Sequence, residues 1–250
     1  KIPMDKKEED VFNNLIKKLN ISLIFVTNQV IMAKQTKTAK NTKENIIDAY
    51  MDYVLEHEHE PKSVYKFAKD LKIKESDFYS HFGSFKGLKQ HIWNTFYNNT
   101  IEVISKADGY ENYSSREKML IFFYTMFEVL TANRSYVLFT LDEENDMMKN
   151  MNQLKELRKH IKSFAKELIQ IDNDDKQISI LKRNESVFSE GAWIQFLFLL
   201  KFWMDDNSAE FEKTDIAIEK SVNTIFDVFD NTPLEQVIDF GKFLYKERVR

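Results

Sequence analysis

The sequence predicts an all-α protein, and three observations carry that expectation. Turn formers are scarce, with 5 Gly and 3 Pro in 250 residues. Apolar residues recur every three or four positions through long Lys- and Glu-rich runs, the spacing of helices that bury one face. Phenylalanine is abundant at 21 residues, and a chain of this length buries a substantial core as one large or two modest domains.

The elements follow in order. Residues 1–41 are expected to be a flexible or adventitious arm: Met32-Ala33-Lys34 reads like a natural start, and Lys34 to Lys43 carries four Lys and no acid. Thr42 to His57 is the first helix, with Ile46, Ile47, Ala49, Tyr50, Tyr53 and Val54 at helical spacing and Asn41 or Thr42 as cap. Pro61 and Ser63 open a short second helix whose stripe is Val64, Phe67, Ala68 and Leu71, and Lys72-Ile73-Lys74 is a tight connection. Glu75 to Phe82 is a third helix, and Ser84 caps a fourth that runs to about Ser105. Ser114 and Glu117 form a capping box for a fifth, and Asn133 caps a short helix to Leu141. Leu154 to Leu168 and Thr214 to Phe229 are amphipathic, while Glu185 to Met204 is apolar on nearly every side. Thr232, Pro233 and Glu235 start a final helix.

Composition narrows the function. With no Cys, disulfides, thiolate catalysis and cysteine-ligated zinc are excluded, and a reducing cytoplasm is the expected location. The most apolar runs, Ile21 to Met32 and Ala192 to Met204, fall short of the roughly 20 residues a membrane span needs. Net charge is −4, but residues 61–90 hold seven Lys against three acids, whereas residues 142–250 hold 22 acids against 16 Lys and Arg. A basic head on an acidic body is the asymmetry expected where one end meets a polyanion; a solvated Lys-rich face has the same composition. The histidines of Glu56-His57-Glu58-His59-Glu60 are spaced badly for one helix face, and no third ligand is placed. No phosphate loop, nucleophile elbow or dinucleotide fingerprint is present, so neither an enzyme, nor a cofactor, nor a metal site is expected.

Three short helices followed by a long one fit a helix-turn-helix module, in which the third helix enters the major groove. The stretch SVYKFAKDLKIKESDFYSHFGSFKGL resembles the N-terminal DNA-binding domain of TetR-family regulators, with Ala68, Ile73, Phe78, Tyr79, His81, Phe82, Ser84 and Leu88 at the pattern's positions. The resemblance implies a helix-turn-helix DNA-binding domain over 42–90 and a ligand-binding, dimerising helical domain over 91–250. It places double-stranded DNA against Lys62, Ser63, Lys74, Ser76, Tyr79, His81, Ser84 and Lys86. It also implies a homodimer and an apolar ligand, a hydrophobic small molecule or lipid, near Phe123, Phe127, Tyr136, Trp193, Phe196 and Leu200; plain core packing is the alternative for each of these side chains.

The chain departs from the family pattern in four ways. Lys72 stands where Gly is usual in the turn, Asp77 where Thr or Ser is usual, and Phe85 where Lys follows the capping Ser. No Arg precedes Arg116, so the commonest guanine-reading side chain is missing from the module. These departures favour a second reading. The stretch LKFWMDDNSAEFEKTDIAIEKSV resembles the coenzyme-Q-biosynthesis lipid-binding protein, a TetR-like fold that does not act as a repressor. That resemblance implies a peripheral membrane contact through residues 233–250, where Leu234, Val237, Ile238 and Leu244 lie beside Lys242, Lys246, Arg248 and Arg250. The DNA-binding regulator is the preferred reading and the lipid-binding accessory protein the alternative.

Overall fold

A computed structural model describes residues 42–142, 151–174 and 184–231. The N-terminal arm (1–41) and the final helix expected from Thr232 lie outside the described residues, as do the basic and apolar positions of 233–250. The fold is all-α: α1 Thr42–His57, α2 Val64–Asp70, α3 Glu75–Tyr79, α4 Phe85–Ser105, α5 Ser115–Ala132, α6 Arg134–Asp142, α7 Lys155–Asp174, α8 Glu185–Asp205 and α9 Glu212–Asn231. Among the described residues no helix is long and apolar enough to cross a membrane.

Among the described residues two compact units emerge, one of 42–111 with 133–142, the other of 112–132 with 151–174 and 184–231. In the first, the periodic residues Ile46, Tyr50 and Val54 of α1 are buried with Phe67 and Ala68 of α2, Phe78 of α3, and Leu88, Ile92 and Trp93 of α4. Burial of such a face, more than intrinsic propensity, holds helices as short as α2 and α3, which would not persist alone. Helix α6 packs on α1 and buries Tyr136 and Val137. Glu60, in the loop after α1, accepts from the Tyr50 hydroxyl at 2.9 Å and pairs with Lys89 at 2.6 Å, so Lys89 is committed inside the unit rather than held out for phosphate.

The second unit is a bundle of α5, α7, α8 and α9. Its start is the expected capping box: the Ser114 amide donates to Glu117 at 2.8 Å and the Glu117 amide to Ser114 Oγ at 3.3 Å. Polar cross-ties sit at the helix contacts, Gln195 of α8 donating to Ser221 of α9 at 2.9 Å and Trp203 Nε1 to Thr131 at 3.0 Å. Asp206, just after α8, is buried and serves as a double cap. Its carboxylate accepts from the amide and hydroxyl of Ser208 (2.9 and 2.6 Å) and from those of Thr214 (2.9 and 2.7 Å), locking the α8–α9 turn. Burial alone would raise this carboxyl, but those donors hold it down at about 2.

The two sides of α8 differ. Trp193, Phe196, Leu200 and Trp203 are buried as one face. Ile194 and Phe198 are 65% and 54% exposed, so this side of α8 is left uncovered among the described residues. Phe198 meets Phe202 at 6.2 Å along the same exposed stripe.

Candidate nucleic-acid interface and ligand site

The candidate interface is built by three caps and a turn. Ser63 caps α2 by accepting from the Lys66 amide at 3.3 Å, and Ser84 caps α4 by accepting from the Gly87 amide at 3.2 Å. Between α2 and α3 the chain closes with two reversed bonds, Ile73 N to Ala68 O (3.0 Å) and Lys72 N to Lys69 O (3.1 Å). This is the Schellman arrangement, and its pivot must adopt a left-handed backbone. Lys72 occupies that pivot at φ 59, the position for which the related pattern uses glycine.

Asp77 has a structural role. Its carboxylate accepts from the Lys74 amide at 3.0 Å, neutralising a free donor at the start of α3, where a negative charge is also favoured by the helix dipole. Phe85 likewise leaves the phosphate-contacting role that its register implies. Its ring stacks on Tyr50 (5.5 Å, 23°) and meets Phe67 and Phe78 edge-on at 5.6 and 5.4 Å. An apolar ring in that register is drawn into the α1–α2–α3 junction, whereas a lysine there would stay in water.

Helix α3 is shorter than the pattern predicts, ending at Tyr79 instead of Phe82. The next residues form a turn in which the His81 and Phe82 amides both donate to Phe78 O (3.0 and 2.9 Å), which brings Phe82 back against Phe78. Tyr79 is 52% exposed, and Lys62, Ser63, Lys74, Ser76, His81, Ser84 and Lys86 are exposed too. All eight therefore share one small, solvent-facing module around α2, α3 and the start of α4. Tyr65 of α2 is also exposed, at a position outside that helix's apolar stripe.

Of the residues expected to line a ligand site, five lie in the second unit: Phe123, Phe127, Trp193, Phe196 and Leu200, all buried. Trp193 stacks on Phe196 at 5.5 Å, and Phe127 meets Phe196 at 6.0 Å and Trp203 at 6.2 Å. Tyr136 is buried in the first unit. Thr125 of α5 is buried, and its hydroxyl has no hydrogen-bond partner among the described residues. A groove of about 560 Å³ lies elsewhere, between α7 and α8, with a charged lining for which no sequence motif gave a signal.

His57, which ends α1, and His59 just beyond it are taken up locally. His57 stacks on Tyr53 at 4.1 Å with its Nδ1 2.9 Å from Tyr53 O, and His59 Nδ1 lies 2.7 Å from Glu60 O. Among the described residues no group of three or more His, Asp or Glu is placed to hold a metal.

No curated protein matches the chain. A family model described as "Tetracyclin repressor-like, C-terminal domain" matches residues 118–244, just over half of it. That span takes in most of α5 and all of α6 to α9, and on this match the chain belongs to the tetracyclin repressor-like C-terminal domain family.

Proposed function

We propose that this protein is a homodimeric, DNA-binding transcriptional regulator controlled by an apolar small ligand. The observation that carries the reading is the α2–α3–α4 module. Two serine caps, a Schellman turn and an exposed Tyr79 sit on a short α3, in a chain whose remainder belongs to a repressor-like family. Lys62, Lys74 and Lys86 supply phosphate attraction, and the caps at Ser63 and Ser84 put free helix-start amides beside them. With no arginine in the module, affinity rests mainly on phosphate contacts and is strongly salt-dependent.

Dimerisation is assigned to α8, where the uncovered Ile194 and Phe198 form an apolar stripe that a second copy would cover. The ligand is assigned to the apolar cluster of Phe123, Phe127, Trp193, Phe196 and Leu200. Control requires that the ligand bind the DNA-competent and DNA-incompetent arrangements unequally. Capture of sheared genomic DNA by the purified protein tests the regulator reading. Discrete enriched sites are expected, and an unenriched library would remove it.

A further inference from the structure

The groove between α7 and α8 does not belong to either site above. Among the described residues its walls carry Lys155, Arg158, Lys159, Lys162 and Lys166 against one carboxylate, that of Glu185. These cations fall at successive three- and four-residue steps, so all five occupy one face of α7. Such a row is unfavourable by itself, because like charges four apart, as in Lys155–Lys159, Arg158–Lys162 and Lys162–Lys166, repel on a helix.

The protein neutralises the row only in part. Glu190 of α8 takes Arg158 at 2.8 Å and also pairs with Lys162, and the Lys162 hydrogen bond leads in holding its carboxyl below the usual range. Glu185 reaches Lys166 at 3.7 Å, and Glu156 takes Lys159 at 2.7 Å. Lys155 has no ion-pair partner among the described residues, so the five cations of the groove outnumber these three carboxylates by two.

The first turn of α8 contributes in the same sense. Glu185, Ser186 and Ser189 line the groove beside the Asn184 cap, so the positive end of a 21-residue helix dipole opens on the same space. This positive groove is set in a chain of net charge −4. Its volume, about 560 Å³, lies in the range of small-molecule sites, and its five lining cations suit a charged ligand, not the apolar one assigned above. Lys155, Lys159 and Lys162 lie along about 10 Å of helix, at 1.5 Å per residue, matching a short line of negative charges better than a single one.

We propose that the α7–α8 groove binds a small multivalent anion of the oligophosphate class, held by the Lys155–Lys166 row and the N-terminal end of α8. Glu190 competes with the ligand for Arg158 and Lys162 and is displaced from them on binding, while Lys155 and Lys159 complete the clamp.

Isothermal titration of the full chain at low ionic strength with inorganic tripolyphosphate tests this, with ATP as a parallel arm. One site per chain is expected. K155E/K159E, whose side chains are exposed and whose helix content is checked by circular dichroism, should weaken tripolyphosphate binding by more than about tenfold. E190Q, which releases Arg158 and Lys162, should tighten it by about threefold or more. K62A/K74A, in the nucleic-acid module, should leave it unchanged. Tighter ATP than tripolyphosphate binding would assign the phosphates to a nucleotide, and the reverse to a free oligophosphate. Absence of wild-type binding at about 1 mM tripolyphosphate, a constant of no biological use, overturns the proposal. So does a K155E/K159E protein that binds as well as the wild type, or loss of binding in K62A/K74A alone.

Discussion

Replacing Lys72 by glycine should stabilise the protein, although it removes a side chain and a charge. Lys72 is exposed, so its truncation forfeits no packing. It sits at φ 59 because the Ile73–Ala68 and Lys72–Lys69 bonds fix the α2–α3 turn there. A residue with a Cβ in this left-handed region costs ~1–2 kcal/mol, which glycine avoids. Against that, glycine's larger freedom in the unfolded chain costs ~0.4–1 kcal/mol. The difference favours K72G by about 0.5 kcal/mol, a rise in melting temperature of about 1–2 °C for a protein of this size.

The companion variants fix the sign. K72A retains the Cβ and should be close to neutral, while K72V puts a β-branched side chain at positive φ and should lose about 1 kcal/mol or more. Guanidinium unfolding gives the global order, and native-state exchange of the Ile73 amide, which closes the turn, gives the local one. The reasoning is refuted if K72G is less stable than the wild type, or if K72V is as stable as K72G.

Other outcomes follow from the same contacts. D206A removes an ionised acceptor of four bonds at the α8–α9 turn and should cost about 3 kcal/mol in thermal unfolding. Because Asp206 titrates at about 2 when folded against an ordinary 3.8, its contribution is present above pH 3.8 and is lost as pH falls toward 2. Acid unfolding in that window should be shallower in D206A. Asp215 moves the other way, pushed up to about 6 by desolvation of its carboxyl and the charges of Glu128 and Asp206. Protonating it therefore adds stability as pH falls from 6 toward 3.8, and carbon-detected NMR should find its midpoint near 6 and lower in D206A. Both F85A and F85K should lose about 2 kcal/mol by unfolding the Tyr50–Phe67–Phe78 ring cluster around a half-buried side chain, and F85K should gain no DNA affinity. I194D/F198D should sediment as a folded monomer where the wild type sediments as a dimer, since the two charges sit on the uncovered α8 stripe.

What was legible in the sequence was local. Ser84, Ser114 with Glu117, and the periodic stripes of α1, α4 and α7 act within one or two turns of their own position, and the helices form where those signals place them. Asp77 and Phe85 were misleading because register was read as role. Each occupies a position used for phosphate elsewhere in the family pattern, but Asp77 is held by the Lys74 amide and Phe85 by three rings, one from each of three other helices. The double cap at Asp206 depends on Thr214 eight residues on, across a turn no short motif describes. The α7–α8 groove was hidden by averaging: residues 142–250 are acidic in sum, and only the helical face gathers Lys155 to Lys166 on one side. The uncovered stripe of Ile194 and Phe198 could not be separated from the buried face of α8 by hydrophobicity alone, because both are apolar.

The central claim is that the surface from Lys62 to Lys86 meets duplex DNA, and the salt dependence of binding tests it most directly. A labelled duplex of about 30 base pairs, close to three helical turns, is titrated by fluorescence anisotropy across a salt series, with wild type and K74A/K86A compared. The account predicts wild-type affinity that falls linearly with salt on logarithmic axes, and a slope shallower by about 2 per protomer in the variant. No salt-dependent binding by the wild type, or the same slope in both proteins, would contradict it.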